Sequence, residues 1–192
     1  YYWILDDDSL IDESFIEAIN TAIASDVNVA CPKIFFHNTM ISPGHLKGVR
    51  GKLIESSLLE VNYEHYGLIS MMSGTLINRQ ITALIKFNER LNLYGVDTDF
   101  YLNCSKLNVP IYLLDHVLIH SSALREITDT EKHIARLENL FSSKWIIFES
   151  YKFAKIRLLS YTMLSIIKLI IRKKDCRYFK LVKVILKKTF KD

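Results

Sequence analysis

The stretch Tyr1-Tyr2-Trp3-Ile4-Leu5-Asp6-Asp7-Asp8-Ser9 joins a short apolar run directly to a cluster of three carboxylates. The apolar run predicts a buried strand, which places the carboxylates at the carboxyl edge of a sheet. Ligands of open α/β folds bind outside that edge. Carboxylate oxygens there suit Mg²⁺ or Mn²⁺, and either cation in turn binds a diphosphate. Because the sequence starts on this strand and without Met, we expect it to be the back part of a larger domain.

A plainer interpretation of the same stretch is a polar turn that caps the following helix. Asp and Ser are common N-caps, and apolar residues recur at helical spacing over residues 10–24. Both interpretations predict the helix. The acidic turn by itself therefore leaves the choice between a cap and a metal site open.

Charge is distributed unevenly along the chain. Residues 1–150 carry 12 Lys and Arg against 19 Asp and Glu, whereas residues 151–192 carry 13 against 2. The first part thus has a net charge of −7 and the last part +11, which indicates an anionic surface as partner for the tail. The three cysteines are far apart and form no CxxC pair, which argues against a disulfide framework or a zinc site.

Hydrophobic periodicity predicts an α/β body followed by an all-helical tail. Strands are expected at residues 27–36 and 68–72, and one or two strands at 109–120. Helices are expected at residues 77–85, 96–107, 129–151, 153–171 and 178–190.

Four different short polar motifs follow one another along the chain, at or between these elements. They are Asp6-Asp7-Asp8-Ser9, Met72-Ser73-Gly74-Thr75, Tyr94-Gly95-Val96-Asp97-Thr98-Asp99 and Leu118-Ile119-His120. This series resembles the inverting family-2 glycosyltransferases of the GT-A fold, most closely their bacterial rhamnosyltransferase-like branch, over about residues 1–150. The resemblance implies a partial GT-A catalytic domain at residues 1–125, from the D-x-D strand onward. Residues 126–192 would form a basic, amphipathic helical extension.

The resemblance assigns the D-x-D motif to Asp6 and Asp8. It implies that Asp8 binds a divalent metal, Mg²⁺ or Mn²⁺, and that Asp6 lies nearer the ribose or a metal-bound water. His120 matches a downstream histidine near the diphosphate or the metal. The alternative is that His120, which ends an apolar strand, has only a structural role. The other five histidines match no motif of the family.

Asp97 matches the catalytic base of the family, which takes the proton of the acceptor hydroxyl. Its alternative is a simple cap of the helix that starts there. The resemblance leaves Asp99 as an acceptor-side or helix-dipole residue. Ser73 and Gly74 match a small-residue loop that approaches the donor, with an ordinary turn as the alternative. The chain departs from the family by lacking an Arg shortly after Asp97 and a Gly-Gly-Phe before residue 87.

The basic tail combines lysines with apolar residues at helical spacing. Apolar positions at residues 181, 182 and 184–186 alternate with lysines at 180, 183, 187 and 188, a pattern typical of helices that lie on an anionic membrane. The alternative is a helical cap packed on the body with a solvated basic face. Residues 156–171 are interrupted by Arg157 and Lys168, so a membrane span is not expected. The chain carries no nucleic-acid recognition motif, so we expect no nucleic-acid partner.

Together these features predict an inverting glycosyltransferase that acts in surface polysaccharide synthesis. It would move a sugar, with rhamnose as the candidate, from a nucleoside diphosphate donor to a glycan or lipid-linked acceptor. The expected location is cytoplasmic, on the inner face of a bacterial membrane, and we expect the 192 residues alone to be inactive. Two alternatives remain open: a metal-dependent phosphoryl-transfer enzyme or nucleotide-sugar hydrolase, and a non-catalytic membrane-associated module.

Overall fold

The computed structural model describes residues 1–7, 9–120 and 129–189. The strands are Tyr2–Ile4 (β1), Val29–Phe36 (β2), Thr39–Ser42 (β3), Gly44–Lys47 (β4), Arg50–Leu53 (β5), Tyr63–His65 (β6), Thr75–Ile77 (β7) and Ile111–Ile119 (β8). The helices are Glu13–Ala24 (α1), Arg79–Leu84 (α2), Val96–Lys106 (α3), Thr130–Ile147 (α4), Ala154–Lys173 (α5) and Lys180–Thr189 (α6). The α/β class expected from the sequence is confirmed.

The chain divides into two compact units. The sheet unit contains the described residues of Tyr1–Lys47, Gly51–Asn88 and Asp97–Ser121, and the helical unit contains those of Gly48–Arg50, Glu89–Val96 and Ser122–Asp192.

The main sheet is mixed, with the order β1-β7-β2-β8-β6, and β3 pairs with the far part of β2. β7 is antiparallel to both β1 and β2, whereas β2 and β8 are parallel. It follows that β1, β2 and β8 run in the same direction, so their carboxyl ends lie towards one edge of the sheet. The first strand is not buried as expected, because β1 pairs with β7 alone among the described strands and leaves Tyr1 and Tyr2 41% and 52% exposed.

The strand predicted at residues 68–72 is wrong. Only Ile69 in that segment pairs, through an isolated bridge to Gly44, and the strand forms later as β7. Residues 109–120 give one strand, β8, which contains a bulge. Cys31 pairs with Leu113 and Lys33 with Val117, so β8 has two more residues than β2 in this interval.

Helices cover both faces of the sheet. α1 is capped by Asp12, whose carboxylate accepts the backbone N–H of Phe15 at 2.8 Å, and it packs Phe15 and Ile19 against one face. α3 packs Phe100 and Tyr101 with the apolar side chains of the other face. Burial of these aromatic side chains is a main source of the stability of the unit.

The helical unit has its own core. Ile134 and Phe141 of α4 pack with Ile166 of α5 and with Leu181 and Ile185 of α6. The apolar side of α6 is therefore buried within the helical unit.

Candidate functional site

The carboxyl edge of the sheet brings the acidic turn and His120 together. Asp6 follows β1 and His120 follows β8, and the backbone N–H of His120 donates to the carbonyl oxygen of Phe35 at 2.9 Å. This bond continues the ladder between β2 and β8 to the last residue before the described segment ends. The position of His120 is thus determined by strand pairing.

Asp6 and His120 face each other although 114 residues separate them in sequence. Asp6 Oδ2 lies 3.5 Å from His120 Nδ1, with side chains 44% and 15% exposed. A reciprocal turn holds Asp6, since Ser9 N–H donates to its carbonyl oxygen at 3.1 Å and its own N–H donates to Ser9 Oγ at 3.1 Å. The carboxylate is left accessible next to the imidazole.

The Ser73-Gly74 loop meets the same acidic turn. Ser73 Oγ lies 3.2 Å from Ser9 Oγ, and the N–H of Gly74 donates to the carbonyl oxygen of Ile4 at 2.8 Å. Gly74 has a φ of +77°, and a Cβ at this residue would lie 2.7 Å from the side chain of Pro32. The backbone of the loop packs this closely against Pro32 because Gly74 has no side chain.

Helix α3 carries the two remaining carboxylates, and they differ in environment. Asp97 is half-buried in the first turn, where its Oδ1 accepts the N–H of Thr98 at 2.6 Å. Asp99 is buried, and burial raises its pKa, while Lys106 and a hydrogen bond from Asn88 act in the opposite direction. Asp97 is therefore the more accessible of the two carboxylates.

Helix α3 is joined to the loop through Tyr101. Asp97 and Tyr101 are four residues apart and share a helix face. The hydroxyl of Tyr101 lies 2.8 Å from that of Thr75, the residue after Gly74. Helix α3 is thus attached directly beside the Ser73-Gly74 loop.

The residue predicted as the main metal ligand, Asp8, lies outside the described residues. Within the described part of the chain, no group of three or more His, Cys, Asp or Glu side chains could hold a metal ion. The pair of Asp6 and His120 supplies one carboxylate oxygen and one imidazole nitrogen, a donor set that Mn²⁺ accepts.

The spacing of this pair is close to that of two ligands of one cation. Neighbouring ligands in an octahedral Mg²⁺ site at about 2.1 Å are about 3 Å apart. The observed 3.5 Å needs only a small side-chain adjustment to reach that value. Such cations commonly use one or two protein ligands and complete their shell with waters and substrate phosphates. The donors that are described fit a cation of this kind.

A separate cavity of about 370 Å³ opens elsewhere in the sheet unit, at residues that sequence reasoning did not select. It is lined by Asp12, Ser14, Lys33, Val61, Asp115, His116 and Val117. The ring of His116 stacks on Phe15 at 4.1 Å, and burial lowers the pKa of this histidine. The bulge in β8 places Asp115 and His116 here, and no sequence signal marks a bulge of this kind.

The chain matched no protein-family model, no curated protein and no solved structure.

Proposed function

We propose that this chain is the C-terminal part of the catalytic domain of an inverting glycosyltransferase of the GT-A type. The reaction is transfer of a sugar, with rhamnose as the candidate, from a nucleoside diphosphate donor to a glycan or lipid-linked acceptor. The observation that carries the proposal is the meeting of Asp6, His120 and the Ser73-Gly74 loop at one sheet edge. These are four of the residues that the family pattern selects, and they come from three distant segments.

The site would hold the diphosphate of the donor. Asp6 and His120 would bind a divalent cation, and a cation there would offset the negative charge that builds up on the departing diphosphate. Ser73, whose Oγ lies 3.2 Å from Ser9 Oγ, joins the loop to the turn that carries Asp6. The Ser9 turn holds the backbone of Asp6 through its N–H and its carbonyl oxygen, so only the side chain would adjust on binding.

Asp97 is the proposed base. It would take the proton of the acceptor hydroxyl while that oxygen attacks the anomeric carbon and the nucleoside diphosphate leaves from the opposite face. It lies in the first turn of α3, at the positive end of the helix dipole. A positioned base contributes about a hundred- to ten-thousand-fold to the rate.

Asp99 remains the proposed acceptor-side or helix-dipole residue of α3. Its carboxylate is buried and lies 3.4 Å from the side-chain nitrogen of Asn103, and Asn88 donates to it as well. Burial raises the pKa of Asp99, which distinguishes it from the more accessible Asp97.

The test is a screen of nucleoside diphosphate sugars with Mn²⁺ and a set of glycan and lipid-linked acceptors. It uses this chain and, where one is found, any longer protein that contains it. Asp97→Asn in the active form should reduce transfer at least about a hundredfold while leaving donor binding intact. Asp115→Asn, which changes an exposed carboxylate away from the site, is the matched control.

Three results would reject the proposal or favour one of its rivals. Release of sugar or phosphate without any acceptor, at the same rate as with one, would identify a phosphoryl-transfer enzyme or a nucleotide-sugar hydrolase. Full turnover in Asp97→Asn would remove the proposed base. Absence of any turnover, together with undiminished binding by Asp6→Asn, would favour a non-catalytic module.

A further inference from the structure

The last helix of the chain does not offer its apolar side to a partner. Leu181 and Ile185 of α6 are fully buried, in one core with Tyr178 and Ile166. A membrane contact through these residues would require the helical unit to open. Any docking surface of this unit must therefore lie on another helix.

Helix α5 has two opposite apolar faces. Its inner face is buried and carries Ala154, Leu158, Thr162 and Ile166. Its outer face carries an apolar row, here called the outer stripe, in which exposure is 66%, 58%, 47% and 70% for Ile156, Leu164, Ile167 and Ile171. At 100° per residue these four lie within about 80° of each other around the axis, and they extend over about 22 Å.

The outer stripe is a costly feature for a surface in water. Single exposed apolar residues are common, but aligned large side chains on one helix face mark an interaction site. The inner face already holds the helix to its unit through Leu158 and Ile166, so the stripe is not needed for folding. The outer side chains therefore require a different partner.

The charge of α5 identifies the kind of partner. The helix contains Lys155, Arg157, Lys168, Arg172 and Lys173 and no Asp or Glu, and all five basic side chains are exposed. Arg157 and Lys168 lie within about 40° of one border of the outer stripe. An apolar row with a basic border is complementary to a surface of acyl chains beneath anionic headgroups.

The helix cannot bridge such a layer. Of the helices described, none is both long and apolar enough to cross a membrane. Lys168 lies within the apolar part of α5, four residues before Arg172, which fits a helix lying parallel to the surface better than one crossing it.

We propose that the outer stripe of α5 docks the helical unit flat onto an anionic lipid surface. Ile156, Leu164, Ile167 and Ile171 enter the boundary between headgroups and acyl chains, and Arg157 and Lys168 contact the headgroup phosphates. This docking is independent of the proposed glycosyl transfer. Binding to vesicles needs no donor, acceptor or metal, so either proposal can fail without the other.

The test is co-sedimentation of the whole chain with vesicles of phosphatidylcholine, with and without phosphatidylglycerol. The wild-type chain should pellet with the anionic vesicles only. Changing Ile156, Leu164 and Ile171 together to Gln should lower the partition constant at least about tenfold. The matched control changes Leu58, Leu84 and Leu107 to Gln, three leucines of the sheet unit that are equally exposed, and should bind as the wild type does.

The contribution of charge is tested separately. Arg157→Gln and Lys168→Gln should each weaken binding to the anionic vesicles about fivefold. Circular dichroism confirms that each variant retains the wild-type helix content. If the triple variant loses helix content, Ile171→Gln alone replaces it and should weaken binding to the anionic vesicles to a smaller extent.

Three outcomes would overturn the inference. They are equal pelleting with and without phosphatidylglycerol, wild-type pelleting by the stripe variant, and no pelleting of the wild type at all. A wild-type dimer in sedimentation velocity that becomes monomeric in the stripe variant would assign the stripe to self-association instead.

Discussion

The hydroxyl of Tyr101 lies 2.8 Å from the hydroxyl of Thr75, and both residues are fully buried. Tyr101 belongs to the helix that carries Asp97, and Thr75 follows the Ser73-Gly74 loop. This contact fixes the helix with the proposed base beside the loop that meets Asp6's turn. Burial raises the pKa of Tyr101 well above its usual value, so the phenol stays protonated and able to donate.

Removing this hydroxyl should weaken the sheet unit. Tyr101→Phe leaves the hydroxyl of Thr75 with only a 3.3 Å contact to the carbonyl oxygen of Met71. We expect a loss of about 1–2 kcal/mol in the free energy of unfolding, measured by urea denaturation. Tyr66→Phe, at an exposed tyrosine, should change it by less than about 0.5 kcal/mol. Equal losses in the two variants would contradict the assigned role.

Gly74 should tolerate no side chain. Gly74→Ala places a Cβ 2.7 Å from the side chain of Pro32 and 3.0 Å from that of Phe15, at a φ of +77°. We expect a loss of about 1–3 kcal/mol in the free energy of unfolding. Gly67→Ala is the control, because Gly67 has a similar φ of +72° and no atom within 4 Å of the added Cβ. The difference in the loss of unfolding free energy between Gly74→Ala and Gly67→Ala measures the cost of the clash with Pro32 and Phe15. Equal losses would show that the loop moves away from these side chains.

Mn²⁺ binding should depend on both members of the pair at the sheet edge. Asp6→Asn and His120→Gln each remove one of two donors, and we expect each to lower Mn²⁺ affinity at least about tenfold in an electron paramagnetic resonance titration. Added pyrophosphate should strengthen binding by the wild type, since phosphate oxygens complete the coordination shell. Asp115→Asn and His116→Gln alter an Asp and a His at the separate cavity and should leave the titration unchanged. A loss in the control pair alone would move the metal site to that cavity.

The stability of the sheet unit should depend on the ionisation of Asp99. Its pKa is raised in the folded state, so its contribution is most favourable below the pKa of the unfolded chain and is lost as pH rises through the folded value. Asp99→Asn should therefore raise the melting temperature relative to the wild type at pH 7, and the gain should disappear towards pH 3.5. Glu17→Gln, at an exposed carboxylate of α1, should show no such trend. A pH-independent difference for Asp99→Asn would refute the assignment.

The helical unit should lose stability in acid through Asp175. Its hydrogen bonds with the Arg177 side chain, one of them 2.7 Å long, and with the Arg177 backbone N–H lower its pKa to about 2. A lowered pKa gives stability that is present above the unfolded value and is lost as pH falls towards 2. Asp175→Asn should lower the melting temperature of this unit at pH 7 but not at pH 2. A constant difference across that range would contradict the ion pair as its cause.

Local signals in the sequence predicted the helices well. Apolar spacing located α1 and α4, which are capped by side-chain oxygens of Asp12 and Asp129. The plainer interpretation of the acidic turn was wrong, because α1 begins at Glu13 and its cap is Asp12, not the turn of residues 6–9. The strands were less predictable because pairing depends on distant partners. The apolar residues 68–72 have the composition of a strand, but β7 forms at Thr75–Ile77, beyond the turn at Gly74, where it pairs with both β1 and β2.

The candidate site shows the same limit. Asp6 and His120 meet through the parallel alignment of β1 and β8, which is a property of the whole sheet. No local pattern joins them, and only the order of motifs suggested that they belong together. The tail shows a second limit of the sequence. The alternation of lysines and apolar residues in α6 is the same whether the apolar side faces lipid or packs in the core of its own unit, where the structure places it.

The bulge in β8 accommodates two extra residues without shifting the end of the strand. Pairing resumes after the bulge at Lys33 and Val117, so the place of His120 beyond Phe35 does not depend on the number of residues within the bulge. Deleting Asp115 and His116 would give β8 the same number of residues as β2 over this interval and remove two walls of the cavity, at the cost of the stacking on Phe15. A change in length at this point would therefore leave the histidine at the sheet edge undisturbed.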